Sequence, residues 1–177
     1  TEIQLRQGAD LEGATRLDLA LRALATGLHA IDGPPISVTA VRLVDGDIDV
    51  LLDQPIDAAP AGFESTGNPR GWQLCSDIDD AGLRRLANGA TAPLPALVTI
   101  GLGDGAPVLV DLETAGILTI GGDPERALPY LRRIASELAT SIWTDHLDLI
   151  TVGEPLGDIA GSHRVRHFDD PEEAVRQ

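Results

Sequence analysis

The chain has 177 residues, 28 of them acidic and 13 basic, and a formal net charge of −15. Apolar residues make up 43% and charged residues 23%, ordinary values for a globular chain long enough to bury about two-thirds of its unfolded surface. The acidic balance excludes a duplex-DNA or anionic-membrane surface, which needs a basic footprint.

Residues 12–29 read as the first helix. Ala14, Leu17, Leu21, Leu24 and Leu28 recur at spacings of three and four, and Leu19, Ala20 and Ala23 widen that face. Gly33, Pro34 and Pro35 stop it, and His29 complements the helix dipole near its end. Two β-rich runs follow, 36–44 and 48–52, joined by Asp45, Gly46 and Asp47. Asp-Gly between such runs is a hairpin signal. Asp45, Asp47, Asp49 and Asp53 alternate along the hairpin without the Gly position and terminal Glu of an EF-hand loop. They are expected as a solvated, charged sheet edge.

The span 54–70 is rich in Pro, Ala and Gly and reads as a long surface loop. Residues 71–76 fit a short strand, with Trp72 and Phe63 covering the sheet. Residues 77–87 read as a short helix with Asn88 and Gly89 as its stop. The connector 91–95 is the expected boundary between an N-terminal α+β subdomain, 1–92, and a second α/β subdomain, 93–177.

In the second half, 97–102 and 108–112 form another expected hairpin around Gly103, Asp104 and Gly105. Residues 116–120 are wholly apolar but for one threonine, the pattern of a buried parallel strand. Asp123 suits an N-cap and Pro124 the first helical position. Leu128, Leu131, Ala135, Leu138 and Ile142 mark the apolar face of the next helix, with Pro129 placed to kink its first turn. Residues 147–152 read as a second buried strand, which makes a right-handed βαβ unit. A third strand at 165–168 and a helix start at 171–176 follow. The fold expected is α/β: a mixed sheet with a βαβ unit of degenerate P-loop type, plus an N-terminal helix and β-hairpin subdomain.

That unit puts Gly121, Gly122 and Arg126 where a phosphate loop would lie. A Walker A loop also needs a lysine for the β- and γ-phosphates and a Ser or Thr for magnesium. The chain contains no lysine, so all 13 basic residues are arginine, as in chains from high-GC genomes. Asp123 and Glu125 face the loop with like charge, and Pro124 removes one amide donor. The residues fit a structural turn, with weak anion or nucleotide binding by Gly121, Gly122 and Arg126 as the alternative.

Elsewhere the chemistry is sparse. Asp145 and His146 lack a nucleophile beside them. Ser162, His163, Arg164, Arg166 and His167 form a small basic cluster. His163 and His167 have helical metal spacing in a segment that reads as extended. The single Cys75 excludes an internal disulfide and a Cys-based zinc site. No cofactor and no metal are expected. No apolar run reaches membrane-span length and no signal peptide is visible. The opening at Thr1 and the absence of Met lead us to expect a piece of a longer protein.

Residues 98–113 followed by 116–122 resemble the approach to the nucleotide loop in FtsK/SpoIIIE-type ATPases. The loop itself departs from that pattern, so ATPase activity is not carried over. A closer resemblance covers most of the chain. The runs 38–52, 93–100 and 137–153 are similar to the central region of large actinobacterial membrane proteins. Those carry N-terminal transmembrane helices, often a LysM module, and a C-terminal bacterial transcriptional activator domain. The resemblance implies a cytoplasmic middle domain of a membrane-anchored regulator. Its expected partners are other domains of the same protein or a protein partner, with no direct nucleic-acid contact and no membrane insertion by this segment. The LysM and activator modules lie outside the chain, so peptidoglycan and DNA binding are not assigned to it.

Overall fold

The computed structural model describes residues 11–31, 36–44, 46–56, 58–144, 146–153 and 162–176. Helix α1 spans Leu11–His29 and is followed by strands β1 (Val38–Val44) and β2 (Asp47–Leu52). Leu17, Leu21 and Leu24 are each at most 2% exposed, and Ala14 and Leu28 pack at the margin of the same core. The apolar spacing of the sequence therefore names the buried face. The Pro-rich stop expected at 32–35 and the first turn aspartate, Asp45, lie outside the described residues.

Strands β3 (Phe63–Ser65) and β4 (Gly71–Leu74) come next, then helix α2 (Asp80–Ala87). The expected featureless loop over 54–70 thus contains a strand, because Phe63 is drawn into the core at 6% exposure and pairs opposite Leu74. Asp79 caps α2, its Oδ1 accepting from the Gly82 amide at 2.7 Å. Asn88 ends it in the left-handed conformation (φ 45°).

Strands β5 (Leu97–Gly103) and β6 (Ala106–Asp111) form the second hairpin. Asp104 and Gly105 have φ of 52° and 83°, the pair of positive values that a tight two-residue hairpin turn requires. Six strands make one antiparallel sheet in the order β3-β4-β2-β1-β6-β5. The sheet runs across residue 92, since Val41 and Arg42 of β1 pair with Leu109 and Val108 of β6. The β2 aspartates are also not at an edge. Strand β2 is flanked by β1 and β4, and Asp47 accepts from Gln73 at 3.2 Å.

One face of the sheet is closed by α1 and α2. Leu17, Leu21, Leu24, Val41, Val50, Trp72, Leu83, Leu97 and Leu109 form its core. Polar ties fix the two helices to each other. Arg16 bonds Asp80 and the Ile78 carbonyl at 3.2 and 3.0 Å, and Thr26 Oγ1 donates to Ala87 at 3.1 Å. Gly27 shows how closely the 54–70 span packs on α1. A Cβ there would stand 2.3 Å from Pro60 Cβ. In an open helix Gly→Ala gains about 1 kcal/mol; here we expect Gly27→Ala to lose about 1–3 kcal/mol through overpacking. Thermal unfolding decides the sign, and a raised midpoint would show that Pro60 yields.

After β6 the chain forms a single turn, α3 (Leu112–Ala115), then helix α4 (Pro124–Thr140), β7 (Leu149–Val152), β8 (Val165–Phe168) and α5 (Pro171–Val175). Strands β7 and β8 pair in parallel, with Leu149 opposite Val165 and Val152 opposite Phe168. The mixed α/β fold, with its N-terminal helix and hairpin, is the one the sequence predicts. The strand expected at 116–120 is not formed. Asp111 closes α3 instead, its Oδ2 accepting from Thr114 N at 2.9 Å and Thr114 Oγ1 at 2.8 Å. The segment then leaves through Gly116 (φ 72°) without pairing to a strand, although Ile120 packs beside Leu147 and Leu149. Helix α4 runs through Pro129 without a break. Its buried face is Ile134, Ala135, Leu138 and Ala139, whereas Leu131 and Ile142 are 44% and 39% exposed. The helix is turned to seat Ile134 and Leu138 against Ala96 and Val98.

Candidate functional site

The Gly121–Arg126 turn stands at the N-terminus of α4, where unpaired amides and the helix dipole favour an anion. The structure brings Gly121, Gly122 and Arg126 to this one exposed corner. Three amides of its first helical turn are already engaged by Asp123. Asp123 Oδ1 accepts from Glu125 N at 3.1 Å. The Asp123 carbonyl accepts from the Arg126 and Ala127 amides at 3.0 and 2.9 Å. Pro124 has no N–H to offer. Arg126 Nε lies 4.0 Å from Asp123 Oδ2, with its side chain 90% exposed. The place of an incoming anion is thus held by the chain's own carboxylate. A Cβ built on Gly121 or Gly122 meets nothing within 4 Å, so the glycines line open surface rather than a cradle.

Arg164, Arg166 and His167 make contacts within the chain. Arg164 bonds the Ser141 carbonyl at 3.2 Å and also Thr144 Oγ1. Arg166 lies 3.9 Å from Asp148. His167 stands on β8, its Nδ1 2.9 Å from Thr151 Oγ1, while His163 precedes that strand, so the pair does not share a helix face. Among the described residues no group of three or more His, Cys, Asp or Glu side chains could hold a metal ion. Asp145 lies outside the described residues.

Two features went unread in the sequence. The first is a side-chain ladder on strand β5, the last strand of the six. Tyr130 and Arg133 of α4 donate to the carbonyls of Ile100 and Thr99. Glu137 Oε1 accepts from Thr99 N at 3.0 Å and Thr99 Oγ1 at 2.8 Å. Trp143 Nε1 donates to the Leu97 carbonyl at 3.0 Å. Unpaired strand edges attract foreign strands, and α4 covers this one with polar side chains. Tyr130, Arg133 and Glu137 fall at i, i+3 and i+7, so their spacing puts them on one helix side, while the strand they reach is set by the sheet order.

The second feature is apolar surface left in water on β7 and on the segment before α4. Ile150 and Val152 share one face of β7 by the two-residue period of a strand, and each is 42% exposed. Their partners on β8 are Arg166 and Phe168. On the segment before α4, Ile117 is 88% and Leu118 46% exposed, while Ile120 tucks against the second core with Leu147 and Leu149.

An open cleft of about 430 Å³ lies where β4 leads into α2, lined by Gly62, Cys75, Asp77, Ile78, Arg85 and Leu86 among others. His146 and His163 do not line it. Burial, and then the negative charges of Glu64 and Asp77, raise the Cys75 thiol above its ordinary range. The reactive species is the thiolate, so Cys75 is expected to alkylate with iodoacetamide several-fold more slowly than free cysteine at pH 7.5. The rate rises with pH beyond the midpoint of an ordinary thiol. A rate equal to that of free cysteine, measured by mass spectrometry, would contradict this electrostatic account.

Among the described residues no helix is long and apolar enough to cross a membrane. Comparison with protein-family models, with curated proteins and with solved structures finds no match.

Proposed function

We propose that this chain is a non-catalytic interaction or signal-relay domain of a larger, membrane-anchored actinobacterial regulatory protein. Its contacts run through the aliphatic side chains left exposed on β7 and on the segment before α4. The observation that carries this reading is the exposure of Ile117, Leu118, Ile150 and Val152. Ile150 and Val152 form an exposed aliphatic pair on one face of β7, and such surface left in water on a folded domain is where another protein would dock. Full burial of such a side chain from full exposure contributes about 1.5–3 kcal/mol, so these four supply part of an association energy and the partner's other contacts supply the rest. The resemblance of 38–52, 93–100 and 137–153 to the middle region of such regulators points the same way. So does the Gly121–Arg126 turn, where the Glu125 and Arg126 amides serve Asp123 and where the sequence supplies neither a lysine for the phosphates nor a Ser or Thr for magnesium. The partner is another domain of the same protein or a separate protein, in a cytoplasmic setting.

The test is binding of the chain to the remaining segments of its parent protein, with Ile117→Lys and Ile150→Lys as variants. We expect each variant to weaken binding at least tenfold while far-UV circular dichroism stays unchanged. Equal affinity in both variants would remove this surface from the proposal. Calorimetric titration with ATP, ADP, GTP and cyclic dinucleotides is expected to show no micromolar binding. Micromolar binding that weakens several-fold in Arg126→Ala would install the alternative, a nucleotide-sensing domain that binds without hydrolysis.

A further inference from the structure

We draw no further inference here: the strongest candidate, the open cleft beside Cys75 at the start of α2, carries nothing because its one distinctive group is a lone cysteine and no unpartnered buried side chain among the described residues is aimed into it.

Discussion

Replacing Trp72 by alanine is expected to cost about 3–5 kcal/mol of folding stability, the range for emptying a buried aromatic site. Trp72 is 1% exposed and stands on β4 opposite Val50 and Ser65. Its ring belongs to the core shared by α1, α2 and the six-stranded sheet. Aromatics are only 3% of the chain, and the surrounding side chains are chiefly Leu, Val and Ile. Aliphatic neighbours held on a paired strand and a capped helix collapse poorly into a cavity of that size. A domain has about 5–15 kcal/mol in hand, so the variant stands near its unfolding threshold. Trp72→Phe keeps a ring in the site and is expected to lose less. The chain has two tryptophans, so Trp143 fluorescence reports urea unfolding in both variants. An unchanged midpoint for Trp72→Ala would mean that this core is not what holds the sheet together.

The elements read correctly from sequence are those whose determinants are local. Leu17, Leu21 and Leu24 declare a helix face by spacing, and Asn88 declares the end of α2 by its tolerance of positive φ. Asp104 and Gly105 specify their turn in two residues. The segment 116–120 misled because an apolar run records a preference for burial without naming a partner. Just upstream the Asp111 carboxylate captures Thr114 in a helical turn, and Ile120 meets its burial preference by side-chain packing with Leu147 and Leu149 and not by strand pairing. Phe63 was hidden because a three-residue strand in a Pro-rich span has no period to detect. The 92/93 division followed composition, whereas the pairing of β1 with β6 is a tertiary choice between distant runs. At the candidate site the poverty of the Gly121–Arg126 turn was legible, because donors can be counted from residue types. The ladder to β5 was not, because its use depends on which strand ends the sheet.

Trp143→Ala is expected to cost a comparable 3–5 kcal/mol, and its interest lies in where that loss is felt. Trp143 follows α4 in the second half, yet it is 8% exposed within the first core and bonds the Leu97 carbonyl. Along with Tyr130, Arg133 and Glu137 it pins α4 to the last strand of the sheet. Truncation removes the buried ring and leaves the Leu97 carbonyl without its donor, a group whose desolvation costs about 1–3 kcal/mol when unmet. Trp143→Phe separates the two terms, because it keeps most of the burial and loses the hydrogen bond. The phenylalanine variant is therefore expected to lose about 1–3 kcal/mol and the alanine variant more. In both, Trp72 fluorescence follows the first core while circular dichroism follows all elements. If the halves form one cooperative unit, the two probes move to lower urea together. A Trp72 transition that keeps its midpoint while the dichroism shifts would mean that α4 and the β7–β8 pair unfold by themselves. The sheet would then be the only structure that crosses residue 92.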